Sequence, residues 1–149
     1  MKKILITFLL IFLNSCDYKP IYSTESTKFK INEIEITGNK KINKLFVKKI
    51  SKFKGNSSNL IYDLKISSSK DIRSVSKDEK GKTKILEMLI SFNIEIKKND
   101  IIIKDKNISK NSTYNNNSNK FQLNQYEKDI QNKMLDKIVE ELLLTIRTL

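Results

Sequence analysis

The amino-acid sequence predicts an α+β fold, a two-layer sandwich in the order β-α-β-β-β-α, with a four-stranded mixed sheet and two helices on one face. Three observations carry this expectation. Two stretches repeat apolar residues every three or four positions, the spacing of a helix with one buried face. Four stretches alternate apolar with polar residues, the pattern of a strand covered on one side and wet on the other. One helical stretch lies between the first two strands and the other follows the last, so both can pack on the same side of one sheet.

The elements follow in chain order. In "FKINEIEITG", residues 29–38, Phe29, Ile31, Ile34 and Ile36 read as the first strand, ended by Gly38. "NKKINKLFVKKISKF" places Ile42, Leu45, Phe46, Lys49, Ile50 and Phe53 along one helical face, with Asn39 as the expected N-cap and Gly55-Asn56 as the expected stop. "NLIYDLKISSS" alternates Leu60, Tyr62, Leu64 and Ile66 against Asp63 and Lys65, the second strand. The polar run "KDIRSVSKDEKGKT" has loop character around Lys77 to Lys82, with outer ends able to extend the neighbouring strands. The third strand alternates most clearly: Leu86, Met88, Ile90, Phe92, Ile94 and Ile96 against Glu87, Ser91, Asn93 and Glu95, with Leu89 out of pattern. Lys98-Asn99-Asp100 makes a tight turn into Ile101-Ile102-Ile103, and the polar continuation "KDKNISKNSTY" suits an edge strand guarded by lysines. After "NNNSNK", the residues Tyr126, Ile130, Met134, Leu135, Ile138, Val139, Leu142, Leu143 and Ile146 mark an amphipathic helix of about 25 residues, about 38 Å long. The first β-α-β unit is expected to cross over right-handed, and strands two to four to form a meander.

The chain has 149 residues, the length of one domain, with 29 Lys+Arg against 17 Asp+Glu and a formal net charge of +12. Such an excess points first to anionic partners. It also fits a background crowded with Lys, Ile and Asn and devoid of Ala and Trp, in which lysine is abundant everywhere. Histidine is absent, which removes the commonest general base and metal ligand and every Ser-His or Cys-His pair. A single cysteine allows neither an internal disulfide nor a Cys-based zinc site. No phosphate-cradling glycine motif is present. The expectation is a protein that is not an enzyme and carries no cofactor and no metal.

The amino terminus reads as a processing signal over residues 1–15. Lys2 and Lys3 precede Ile4 to Leu13, an almost wholly apolar run of ten residues. Spanning a bilayer takes about 20 helical residues, so this run suits the core of a secretory signal peptide. Leu13-Asn14-Ser15-Cys16 follows, with Leu three places before the cysteine and a small residue just before it, as in a lipoprotein lipobox. Cys16 is thus expected to take a diacylglycerol on its sulfur and become the first residue of the processed chain, with a further acyl group on its amine. At about 0.8 kcal/mol per buried CH₂, two or three acyl chains anchor it firmly to the membrane. Residues 16–28, with Pro20 and a Ser/Thr cluster, read as a tether, and 29–149 as a single domain.

Because successive elements reverse direction, the turns near Lys40, Lys80 and Asn116 are expected at one end of the sandwich. The tether and the turns near Gly55 and Asn99 fall at the other. The first end would then collect Lys40, Lys41, Arg73, Lys77, Lys80, Lys82, Lys84 and Lys120, candidates for binding the phosphates of an anionic ligand.

Several of these residues resemble a known family. "CDYKPIY", Cys16 to Tyr22, looks like the stretch following the lipidated cysteine in LPS-assembly lipoproteins of the LptE family: cysteine, small residue, aromatic, any residue, proline, aliphatic, tyrosine. "KGKTK", Lys80 to Lys84, is similar to the polar turn that precedes their long strand, and "STYNNNSNKF" to the segment leading into their final helix. Element order and length also agree. The resemblance implies a non-catalytic outer-membrane lipoprotein that sits as a plug inside the LptD barrel, assists its assembly and helps place lipopolysaccharide in the outer leaflet. Its partners would be an LptD-like β-barrel, lipopolysaccharide, and the membrane through the acyl chains on Cys16. The polar residues Glu87, Ser91, Asn93, Glu95, Asp105 and Asn107 would face the wall of the barrel lumen. The sequence departs from the family at Asp17, where relatives prefer Gly. In enteric bacteria an Asp there tends to retain a lipoprotein in the inner membrane.

Two other classes compete. A lipid-anchored module binding anionic ligands alone would be monomeric, with affinity falling steeply with salt. Nucleic acid is disfavoured as that ligand, because the basic stretch Arg73 to Lys84 holds no aromatic residue for stacking. A hydrolase using Glu33/Glu35 or Glu87/Glu95 is formally open, but carboxylates alternating along a strand ordinarily form its solvated face.

Overall fold

The alternating stretches become the four strands of one sheet in the computed structural model, which describes residues 29–53 and 60–149. Chain order is β1 (Phe29–Gly38), α1 (Lys40–Ile50), a single 3₁₀ turn (Ser51–Phe53), β2 (Leu60–Lys77), β3 (Thr83–Lys98), β4 (Ile101–Asn115) and α2 (Lys120–Arg147). The strands lie side by side as β1-β2-β3-β4, β1 parallel to β2 and the rest antiparallel, an open mixed sheet with an α+β element order as expected. Residues 1–15, Cys16, the tether to residue 28 and the Gly55-Asn56 stop lie outside the described residues.

In β1 the core residues change parity, Phe29 and Ile31 being odd and Ile34 and Ile36 even. The register explains this. Ile31 pairs with Tyr62 and Ile34 with Leu64, so β1 holds one extra residue, a bulge that returns Ile34 and Ile36 to the core side. Asp63 holds the bulge, its Oδ1 accepting from Asn32 Nδ2 and from the Glu33 backbone N–H, both at 3.0 Å.

Asn39 caps α1 as its sequence position suggests, accepting from the Ile42 N–H at 3.2 Å. The helix buries Ile42, Phe46 and Ile50 against the sheet, and the Phe46 ring stacks on Phe92 of β3 with centroids 4.5 Å apart. A small polar group fixes where α1 begins. Asn43 and Ser68, both buried, are hydrogen-bonded to each other, and Asn43 Nδ2 donates to the Thr37 carbonyl at 3.0 Å. Gly38 passes so close to β2, at φ +94°, that a Cβ would sit 2.0 Å from the Ser68 carbonyl oxygen. Only glycine allows that approach.

The core lies between the inner sheet face and the two helices. Met88, Ile90, Phe92, Ile94 and Ile96 of β3 are all fully buried, as alternation predicts. The Lys98-Ile101 connection is a two-residue turn with Asn99 at φ 51° and Asp100 at φ 64°, the paired left-handed conformation that suits a tight hairpin. α2 buries Leu123, Ile130, Met134, Leu135, Ile138, Val139, Leu142, Leu143 and Ile146. Its 28 residues slightly exceed the expected length. Tyr126, assigned to its apolar face from spacing, is instead half-exposed and meets Tyr114 edge-on at 6.1 Å, with Leu123 filling the buried position one turn earlier.

The polar run 70–83 follows the expectation that its outer ends extend the neighbouring strands around a short turn. Most of it is strand: β2 continues to Lys77 and β3 begins at Thr83, leaving only 78–82 as a turn. Its polar side chains are tolerated because β3 supplies the pairing across Lys70↔Ile90, Ile72↔Met88 and Ser74↔Leu86. The residues opposite therefore carry most of the apolar burial. β2, β3 and β4 thus continue as an arm beyond Gly38, which pairs with Ser68, with β4 paired to β3 as far as Ile85↔Asn115. From Ser68 to Lys77 the arm runs about 30 Å, at about 3.3 Å per residue.

Candidate functional site

The sequence-predicted basic residues are distributed along this arm. Lys77 ends β2, and Lys80 and Lys82 belong to the turn at its tip. The turn is shaped by Asp78, whose Oδ1 accepts from the backbone N–H groups of Lys80 at 2.9 Å and Lys82 at 2.8 Å. Lys84 lies on β3, its carbonyl accepting from Asn116 N–H at 2.8 Å, so the segment opening α2 at Lys120 starts beside the arm. Lys40 and Lys41 open α1 at the level of Ser68, about 30 Å back along the strands. The eight residues therefore do not form one cluster. Lys77, Lys80, Lys82 and Lys84 gather at the tip, where Thr83 pairs with Lys77, and α2 opens at Lys120 on the same side, while Lys40 and Lys41 stand apart.

Arg73 is a second correction, being a strand residue rather than a loop cation. It lies directly across from Glu87 and donates from Nε to Glu87 Oε2 at 2.6 Å. Glu87 also accepts from Asn111 Nδ2 at 2.9 Å. The Asn111 hydrogen bond, and then Arg73, hold its carboxyl below the usual carboxylate range.

These residues open a row of paired polar groups down the sheet face that no helix covers. Ser109 Oγ donates to Ser91 Oγ at 2.8 Å, Asn107 Nδ2 to Asn93 Oδ1, and Glu95 stands opposite Asp105 in register. The six polar residues singled out in β3 and β4 do share this face. Most of its polar side chains are already satisfied by one another, so the face can meet a polar wall without leaving buried groups unpaired.

On the helix side, sequence reasoning missed a basic cleft. Lys41 and Leu45 of α1, Lys70 of β2 and Asn124, Glu127, Lys128, Gln131 and Asn132 of α2 surround about 430 Å³. Lys70 donates to Gln131 Oε1 at 2.8 Å, a neutral partner. Burial pulls its ammonium below the usual lysine range, Glu127 opposes that, and Lys41 adds to the lowering. The Glu127 carboxylate accepts from Tyr114 O–H at 2.7 Å, and burial and then that bond push the Tyr114 phenol up. The one signal in the sequence was parity. Lys70 continues the inward series Tyr62, Leu64, Ile66 and Ser68, so a lysine was being placed on the helix side of the sheet.

Among the described residues no group of His, Cys, Asp and Glu has the arrangement of a metal site, and no helix is long and apolar enough to cross a membrane.

No family model and no curated protein matches the chain by sequence. Its architecture does match solved structures. A rare lipoprotein B from Shewanella oneidensis superposes with a TM-score of 0.56 at 12% identity, over 78% of this chain and 98% of that one. The fold is that of rare lipoprotein B. A minor lipoprotein from Acinetobacter baumannii gives 0.59 at 13% identity, over 81% and 91%. A lipoprotein B from Nitrosomonas europaea gives 0.56 at 14%, over 78% and 83%. The rare-lipoprotein-B fold is LptE-like, so the architecture implied by "CDYKPIY" and the element order is the one observed. At these identities the likeness is one of fold.

Proposed function

We propose that this chain is an LptE-like outer-membrane lipoprotein, anchored through acyl chains on Cys16 and seated inside an LptD-like β-barrel. There it supports barrel assembly and the passage of lipopolysaccharide to the outer leaflet, without catalysing a reaction. The observation that carries this reading is the rare-lipoprotein-B fold, which spans nearly the whole Shewanella protein and here follows a lipobox. The self-satisfied polar sheet face supports it, because such a surface suits the polar interior of a barrel. The exposed lysines at the arm tip are suited to phosphate groups.

The test is affinity purification of the tagged chain from detergent-solubilised membranes, with mass spectrometry of Cys16. The expected result is an acylated chain that co-purifies with a large β-barrel from the outer-membrane fraction. Recovery as a monomer without a barrel would overturn the barrel-plug reading. Fractionation with the inner membrane would show that Asp17 governs sorting and would overturn the outer-membrane assignment.

A further inference from the structure

The edge of β2 is shared unequally along its length. From Leu60 to Ser68 it is paired with β1, which ends at Gly38. Beyond Ser68, among the described residues, no strand pairs with β2 on that side, while β3 continues to pair on the other. The Ser68 carbonyl points to the β1 side, since it accepts from Asn39 N–H at 3.3 Å. Backbone groups alternate along a strand, so the N–H and C=O of Lys70, Ile72 and Ser74 point to the same side and face an empty lane. The lane continues the line of β1 for about 30 Å, enough for a strand of eight or nine residues.

Its surroundings indicate what would occupy it. The inward side chains along this stretch are Lys70, above the cleft that also holds Lys41, Lys128 and Glu127, then Ile72, which is 38% exposed, and Ser74. Lys40 stands at the entrance, and Lys77, Lys80 and Lys82 at the far end, with no ion-pair partner among the described residues. A second copy of this chain pairing edge to edge would bring these cations together, on a molecule of net charge +12. An acidic strand would instead meet cations at the entrance, in the cleft beside its one carboxylate Glu127, and at the far end.

We propose that the β2 edge from Lys70 to Ser74 is a strand-addition site for an extended acidic polypeptide segment of a partner protein. The segment pairs through its backbone with Lys70, Ile72 and Ser74, and its inward acidic side chains are received by Lys70, Lys41 and Lys128. The proposal goes beyond the envelope function above and is independent of lipidation.

The test titrates the full chain in detergent with three nine-residue peptides: alternating Glu and Val, alternating Lys and Val, and the Glu peptide N-methylated at alternate residues. The Glu peptide should bind, slow amide exchange at Lys70, Ile72 and Ser74, and weaken as salt rises. Each edge hydrogen bond lost should lower affinity about 3- to 10-fold, so the N-methylated peptide should bind far more weakly. Ile72→Pro removes one edge N–H that β3 does not use and should weaken binding similarly. Lys70→Glu with Lys41→Glu disturbs no backbone pairing and should reverse the preference towards the Lys peptide. Equal binding of the Glu and Lys peptides overturns the proposal. So does undiminished binding of the N-methylated peptide, which would indicate charge attraction alone. A dimer in sedimentation that protects the same three amides without peptide would make a second copy the occupant and also overturn it.

Discussion

The sandwich and the arm are built from the same strands, β2, β3 and β4, yet β2 is held differently in each. On the inner face of the sandwich β2 presents Tyr62, Leu64 and Ile66, all buried beneath the helices. On the arm the same face presents Lys70, Ile72 and Ser74, and β2 is held mainly by its backbone pairing to β3. A polar strand can therefore extend past its own hydrophobic support, provided its neighbour still has a covered face. β3 does, with Met88 and Ile90 buried.

The largest expected effect tests the sandwich side. Phe46→Ala removes a fully buried ring stacked on Phe92 and should cost about 3–5 kcal/mol in urea unfolding. Val75→Ala, on the exposed arm, should change stability by less than about 0.5 kcal/mol. Equal losses would mean that the arm and sandwich are not distinct in this way.

Among the described residues, two glycines with positive φ sharpen the contrast. Gly38→Ala drives a Cβ into the Ser68 backbone and should cost about 2–3 kcal/mol. Gly81→Ala, at φ +75° with nothing within 4 Å, should cost about 1 kcal/mol, the backbone strain alone.

Two titrating contacts probe the zone where α2 joins β4. Tyr114→Phe removes the hydrogen bond to Glu127 and should cost about 1–2 kcal/mol. The Tyr114 phenol is raised above its ordinary value, so the stability it contributes is present below pH 10 and lost as pH rises beyond it. The variant should therefore show a smaller alkaline loss than the parent. A smaller effect is expected at Glu141, which accepts from Lys110 at 2.6 Å and pairs with Lys106 at 3.3 Å, all three partly exposed. Glu141→Gln should cost at most about 0.5–1 kcal/mol at neutral pH. The Lys110 hydrogen bond holds its carboxyl below the ordinary 4.5, so its contribution is present above that pH and lost as pH falls below it. Parent and variant unfolding midpoints should converge in acid.

What was legible in the sequence was whatever repeats. The alternation in β3 and the three-four spacing in α2 each leave many equivalent marks, and both elements form where those marks stand. The parity change between Ile31 and Ile34 was visible too, although its meaning required Asp63, which lies about thirty residues away in sequence. The arm was partly legible: the ends of the polar run could extend the strands, but a polar strand stabilised by its neighbour has the composition of a loop, so its length could not be read. Arg73 accordingly read as a free cation, when only the register with Glu87 shows it to be paired. The basic cleft depends on three separate elements, and no spacing within any one of them marks it.

The half-length pairing of β1 also sets an order of events in time. β2, β3 and β4 are joined by turns of five and two residues, so they can find one another locally. β1 is synthesised first, but its pairing of Phe29 with Leu60 must wait for α1 and the whole intervening segment. The earliest strand of the chain is therefore expected to be the last one captured. During refolding its amides should gain protection after those of the meander, leaving the whole inner edge of β2 briefly as open as the arm remains.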